Sequence, residues 1–477
     1  MFKLQRCNKL TPYLIAVIFT TTLQGESLDE ALEGFDDAPT KIVNKTKVEA
    51  SADDIMDGFD DEVSPSSSTK KERAKEEAKV KKKRETFAEA LDGLTGKLTE
   101  QTTFSYGGDA PHDNFSSLKS SFLLDYEHKF DNGFKVKTNA KAYYDAIYSL
   151  RGRNKYSKDE LKELESEVRL FDAYVEGSLS DNLDMKLGRQ VVVWGRSDTI
   201  RITDVLNPLD NRRPGMVDIE DLRLPVGMAK FDYFVGDWRI TPIAVVEQQF
   251  SLNPPAGSAL NPSSNSLPKD ETYNEVLPAL SIGGEFSGFD VNLYAASVRD
   301  DAGYFANGKL QHDKVTMLGT ALNVLQGSWL LKGELAHFDG LKYSTTGQKE
   351  FKRSDGLIGL EYNGFADTLI AYDASIRKVH GYDARLKTLP LAVEEETYQH
   401  AFRVSSDFMN ATLKANYLIS LFGKNLDEGG FQRAWVKYDI ADGIFANVGV
   451  VDYIGGSKRF DAVSNNDMAF MDVTYSF

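Results

Sequence analysis

The sequence predicts an all-β protein, a closed antiparallel transmembrane β-barrel of about eighteen strands, with sixteen as the alternative count. A largely disordered tail with one helix precedes it. Three observations point there. From residue 97 onward the chain runs in segments of about 10 to 14 residues whose side chains alternate apolar and polar, the period of an extended strand. The connections alternate in length: tight turns such as 131–133, 180–182, 236–237, 287–288 and 441–443 are interleaved with long ones such as 148–166, 194–224, 251–275 and 380–396. Short turns on one rim, long loops on the other and both ends on the short-turn side match a bacterial barrel, whereas unrelated soluble hairpins have no reason to alternate this way. Finally, the chain ends MAFMDVTYSF, which puts Phe477, Tyr475, Val473, Met471 and Ala469 on one face and Ser476, Thr474 and Asp472 on the other.

Taken in chain order, residues 1–25 read as a signal peptide. Lys3, Arg6 and Lys9 precede the apolar run LTPYLIAVIF, and small residues follow up to Gly25. A retained anchor is the alternative, although the run is short for a spanning helix. Cys7, the only cysteine, lies in this segment, so the mature chain would have no disulfide, thiolate metal site or cysteine nucleophile. Residues 26–95 are low in apolar content: GFDD occurs at Gly34–Asp37 and again at Gly58–Asp61, followed by SPSSSTKK and the helix-prone KKERAKEEAKVKKKRE. Such a segment buries too little apolar surface to offset its ordering entropy. It reads as a periplasmic tail, its GFDD copies either a binding epitope or a duplicated acidic spacer.

The barrel is expected over 96–477. Past residue 30 no apolar run suffices for a transmembrane helix, so an exported chain that enters a membrane must do so as a closed sheet. Val136, Thr138, Ala140, Ala142, Tyr144 and Ala146 would face lipid, opposite Lys135, Lys137, Asn139, Lys141 and Asp145; Trp329, Leu331 and Leu335 lie opposite Lys332 and Glu334, and Ile370, Tyr372 and Ile376 opposite Asp373 and Arg377. Lys135, Lys137, Lys141, Lys332 and Arg377 are thus expected to face the lumen, either attracting anions or balanced by acids on adjacent strands. In DMKLGRQVVVWG, Arg189 shares the face of Met185 and Leu187; a bulge at Gly188 would turn it inward. Tyr475 and Phe477 resemble the carboxy-terminal signal read by the outer-membrane assembly machinery.

The connection from Trp194 to Pro225 carries five arginines, no lysine, several aspartates and the bulky apolar residues Ile200, Ile202, Val205 and Leu206. Folded into the lumen, residues 195–223 would constrict a pore, with Arg196, Asp198, Arg201, Asp204, Asp210, Arg212 and Arg213 as its charged lining. Alternatively these arginines pair with the neighbouring aspartates and hold the loop against the wall. The two readings are compatible. The loop 251–275, rich in Pro, Ser and Asn, is expected at the outer surface.

The stretch LGRQVVVWGRSDTIRITDVLNPLDNR, residues 187–212, resembles the signature of a family of uncharacterised outer-membrane barrel proteins from proteobacteria, known as a domain of unknown function and porin-like in kind. The likeness rests on Gly188-Arg189-Gln190, Trp194-Gly195 and Asn207-Pro208-Leu209-Asp210 and covers about residues 95–477. It implies a channel or exporter of apolar or aromatic compounds in the outer membrane of a Gram-negative bacterium.

The formal charge of −16 argues against nucleic acid and anionic lipid surfaces as partners. Six histidines lie scattered without metal-ligand spacing, and neither a Gly-x-Ser-x-Gly elbow nor a phosphate-binding glycine loop occurs. No cofactor, metal site or catalytic residue is expected, and no enzyme activity. The leading expectation is a porin-like channel for passive diffusion of small solutes, anionic or aromatic and apolar. Two others stand beside it: a barrel that anchors residues 28–90 to a periplasmic protein, and an outer-membrane hydrolase assembled from separate strands. Outer-membrane lipid and the assembly machinery are the remaining expected partners.

Overall fold

The computed structural model describes residues 93–217, 222–263, 268, 273–388 and 392–477. The expected signal peptide, the GFDD copies and the tail helix lie outside the described residues. Strand β1 (Leu94–Ser105) is followed by β2 (Asn114–Lys129), β3 (Lys135–Asp145), β4 (Ser166–Ser180) and β5 (Leu183–Gln190). After a long connection come β6 (Val226–Val235), β7 (Trp238–Val245), β8 (Leu277–Phe286) and β9 (Phe289–Arg299), then a small separate hairpin of β10 (Tyr304–Ala306) and β11 (Lys309–Gln311). The wall resumes with β12 (Lys314–Gln326), β13 (Trp329–Lys342), β14 (Glu350–Phe365), β15 (Thr368–His380) and β16 (Glu396–Phe408). It finishes with β17 (Leu413–Phe422), β18 (Gly430–Ala441), β19 (Ile444–Ile454) and β20 (Met468–Ser476).

All but β10 and β11 belong to one 18-stranded sheet in which each strand pairs antiparallel with the next. The sheet closes on itself: β1 pairs with β20 from Lys97 opposite Ser476 to Ser105 opposite Met468. The last residue takes part, since Gly96 N–H donates to the Phe477 carbonyl at 2.8 Å and Phe477 N–H to the Gly96 carbonyl at 3.0 Å. Closure leaves no open edge, the condition under which a sheet can cross lipid.

Side-chain alternation sorts the two faces. On β13, Trp329, Leu331 and Leu335 are exposed outward while Lys332, Glu334, Ala336 and Phe338 are buried inward. Aromatic pairs flank the short turns on the outer face: Trp238 with Phe286 at 5.5 Å between ring centroids, Trp329 with Tyr362 at 4.3 Å and Tyr475 with Phe477 at 6.0 Å. These rings form a girdle of the kind that marks a membrane interface. Glu100 breaks the pattern. It stands midway along β1, exposed on the same face as Leu98 and Phe104, and accepts a hydrogen bond from Ser120 Oγ at 2.7 Å.

Three local readings are corrected. Pairing runs in register through Gly188 on both sides, so no bulge forms there; the glycine takes φ 128°. Arg189 is accommodated instead at the upper end of β5 by an ion pair with Glu247 and by donating to the carbonyls of Phe171 (3.2 Å) and Pro225 (3.0 Å). The bulge in this region lies between β3 and β4, at Thr138/Ala140. Ala146 leaves the strand face and precedes the short helix Ile147–Arg151. The connection after β7 is not merely a surface loop: Ser251, Ala256 and Ser258 are buried, and Leu252 bridges to Asp210.

Candidate pore constriction

The connection between β5 and β6 folds into the barrel because its root is tied by two amide side chains. Gln190, fully buried, donates through Nε2 to the carbonyls of Lys186 (3.1 Å) and Met228 (3.2 Å). Asn207 accepts the Val192 N–H at 2.8 Å and donates to the carbonyls of Gln190 (3.1 Å) and Leu224 (2.9 Å), pulling both limbs of the loop together. Beyond this neck, Trp194, Ile200, Ile202 and Leu206 are buried against inward residues of the wall, among them Met228, Ile243, Leu277 and Met317. Trp194 stacks on Tyr294 at 4.7 Å. Each such side chain contributes about 1.5–3 kcal/mol relative to exposure.

The tip is held by carboxylates from distant strands. Glu334 accepts the N–H groups of Arg196 (2.6 Å), Ser197 (2.9 Å) and Thr203 (3.2 Å) and the Thr203 hydroxyl (2.8 Å). Asp373 accepts the hydroxyls of Ser197 and Thr199, both at 2.6 Å. The approach explains Gly195: at φ 91° a Cβ there would lie 2.7 Å from the Glu334 carboxylate. Arg196 pairs with Asp290, and Asp198 with Lys332 at 3.1 Å, whose ammonium also meets Glu361 at 3.0 Å. Asp204 sits between Arg201 (3.1 Å) and Arg223 (2.8 Å).

The far limb reaches the opposite side of the lumen. Arg212 forks onto both oxygens of Asp210 (2.8 and 2.5 Å), meets Glu167 of β4 at 2.8 Å and donates to the Glu163 carbonyl at 2.7 Å. Arg213 pairs with the fully buried Asp145 of β3 at 3.0 Å. Tyr453 of β19 donates to the Pro214 carbonyl at 2.6 Å, and Met216 packs with Trp435, Val451, Tyr453 and Phe470. Burial acts to raise the Asp210 carboxyl, but the hydrogen bonds and charge of Arg212 outweigh it and hold the group below its ordinary pKa. Burial likewise opposes the charge on Arg212 and Arg213, yet Asp210 and Asp145 hold both guanidiniums above their usual value.

All seven charged residues expected in the constriction therefore lie on a segment that crosses the lumen, and all are ion-paired, in the manner of the second sequence reading. Of the expected lumen residues, Lys135 meets Glu176 (2.7 Å), Lys137 meets Asp125 (3.5 Å), Lys141 lies over the Phe171 ring (4.1 Å), Lys332 is covered by the loop tip, and Arg377 bonds Asp355 (3.2 Å). Tyr475 and Phe477 sit outward at the closing seam. Sequence reasoning missed Glu334 and Asp373 as anchors, along with Asp290 and Glu167; their inward parity was readable, but their partners lie on the loop, far away in sequence.

A family model described as Protein of unknown function (DUF1302) matches residues 47–240, a span containing the motif of residues 187–212. No curated protein matches the sequence. Among solved structures, the chain resembles OccAB3 of Acinetobacter baumannii at 11% identity and TM-score 0.50, with 80% of this chain and 98% of that one covered. OccAB2 of the same organism is similar at 12% identity, TM-score 0.49 and 81% and 98% coverage. The outer membrane protein opdK from Pseudomonas aeruginosa is similar at 10% identity, TM-score 0.47 and 80% and 98% coverage. At such identities the likeness to OccAB3 speaks to fold.

Proposed function

We propose that this protein is a porin-like channel of the Gram-negative outer membrane, passing small solutes by passive diffusion through a lumen narrowed by the loop between β5 and β6. The observation that carries it is the loop itself: a closed barrel with an apolar outer wall holds across its interior a segment fixed by Glu334, Asp373, Asp145 and Glu167. A channel whose selectivity depends on fixed charges needs such rigid placement, since a mobile charge averages its field. Passive diffusion suits a lumen lined by paired charges, which orient a solute without trapping it. Outer-membrane placement is supported by the aromatic girdle and by a fold like that of OccAB3. The outward Tyr475 and Phe477 at the seam support their reading as the assembly signal.

The test is a planar bilayer recording of the purified chain in KCl. Discrete conductance steps with a linear current–voltage relation are expected, and neutralising Arg212 and Arg213 together should move the reversal potential toward cation preference. A correctly folded barrel that carries no current would defeat the channel; an unchanged reversal potential would remove these two arginines from the selective region.

A further inference from the structure

A second feature sits above the loop, at the long-loop end of the lumen. There a cavity of about 200 Å³ opens between Ile202 and Leu206 of the loop and the upper ends of β7, β8 and β12–β15. One side of it is apolar, formed by Val245, Leu277, Val315, Phe338 and Leu341, all buried. The other carries two guanidiniums on one carboxylate: Arg353 Nε donates to one oxygen of Asp355 at 3.0 Å and Arg377 Nε to the other at 3.2 Å. Asp355 is almost fully buried between them and supplies one negative charge against two positive. Arg353 is further fixed by stacking over the Phe338 ring at 4.3 Å.

Engaging each arginine through Nε leaves its terminal nitrogens available, and no described residue accepts from them. The acids that share the cavity are already engaged. Asp204 lies between Arg201 and Arg223, Glu247 pairs with Arg189 and accepts the Gly227 N–H, and Asp301 accepts the Ser251 N–H at 2.7 Å. Burial pushes the Asp300 carboxyl upward, and the nearby positive charge of Arg353 opposes that shift. What sets the Arg353–Asp355–Arg377 group apart is its unused guanidinium donors beside an apolar wall.

We propose that this cavity binds small organic anions with an apolar body, aromatic or branched aliphatic carboxylates, the carboxylate on the terminal nitrogens of Arg353 and Arg377 and the body against Phe338, Leu277 and Leu341. Guanidinium forks match carboxylate geometry, and the apolar wall rewards a hydrophobic body that a simple inorganic anion lacks. The proposal rests on the channel reading for its purpose, a station that collects solute at the mouth, but the site itself is a claim about binding.

Isothermal titration of the full, detergent-purified chain with benzoate, benzamide and acetate tests it. Benzoate should bind at least about tenfold more tightly than either of the others, the loss of one charged or one apolar contact being worth that factor. Arg377→Gln should weaken benzoate about tenfold and leave benzamide unchanged, with Arg377→Lys recovering part of the loss. Arg377 is half-exposed, so folding should survive; heat-modifiable gel migration checks it, and if the variant does not fold the three-ligand series on the wild-type chain decides. Equal affinity for benzamide overturns the anion site, equal affinity for acetate overturns the apolar wall, and an unchanged Arg377→Gln overturns the assignment. Binding without KCl conductance would sink the channel and spare the site; conductance without benzoate binding would do the reverse.

Discussion

Two walls of the same lumen are built differently. The wall of β6–β9 and β12 turns Val226, Met228, Ile243, Val245, Leu277, Ala279, Tyr294, Val315 and Met317 inward, and the loop between β5 and β6 lies packed on it. The wall of β20, β1 and β2 turns Thr99, Gln101, Thr103, Ser117, Lys119, Asp472 and Thr474 inward, with Thr99 and Thr474 bonding each other at 2.8 Å. An inward apolar wall would be costly against water, so the loop's own apolar face is drawn to it; the polar wall has no such deficit and meets the loop through Arg213, which donates to Ser117 Oγ at 3.1 Å, and through Phe470 beside Met216. The wall sequence thus decides where the loop settles.

The largest expected effect attacks the tether. Glu334→Ala leaves the N–H groups of Arg196, Ser197 and Thr203 without their acceptor, each worth about 1–3 kcal/mol when buried. Urea unfolding should show a loss of at least about 3 kcal/mol, and single-channel records should become larger and noisier as the tip detaches. A quiet, unchanged channel would mean that apolar packing alone places the loop.

The contrast itself is broken or kept by paired truncations. Met317→Ala on the packed wall should cost about 2–5 kcal/mol, against about 1 kcal/mol for Thr99→Ala on the polar wall. Equal losses would show that both walls are packed alike.

Acid sharpens the difference between the two anchorages. Because the folded Asp210 carboxyl lies below its ordinary value of 3.8, its pairing with Arg212 stabilises the loop fully above that value and is lost as pH falls through the lower, folded one. Protease cleavage within the loop should therefore rise in strong acid, first at the Arg212 end and not at the apolar root, and Asp210→Asn should flatten the dependence. The smallest effect concerns the outer face of β1: Glu100→Leu should raise the unfolding free energy in lipid bilayers by less than about 2 kcal/mol, while the same change leaves conductance alone.

Much of the fold was legible. Alternation told which side of β13 and β15 faced out, and turn length told which rim was which, because both signals are local. The loop was conspicuous by its mixture of arginine with Ile200, Ile202 and Leu206. What stayed hidden is long-range: Glu334 reads as one more inward charge in LLKGELAHF, and nothing near it says that Arg196 and Thr203 will dock there, more than a hundred residues away in sequence. Gly188 misled for a related reason. A glycine beside an ill-placed arginine suggests a bulge, whereas Glu247, contributed by another connection, removes the need for one. Arg353 and Asp355 alternate in step with their neighbours, so only the pairing of β14 with β15, which sets Arg377 opposite Asp355, brings the second guanidinium to the same carboxylate.

The seam between the first and last strands bears on how the molecule is made. Its partners, Lys97 with Ser476 through Ser105 with Met468, are among the most distant in the chain, and the final bond belongs to the terminal residue itself. Synthesis must therefore have reached β20 before the β1 margin can be satisfied, and until then that border is open to any neighbouring strand.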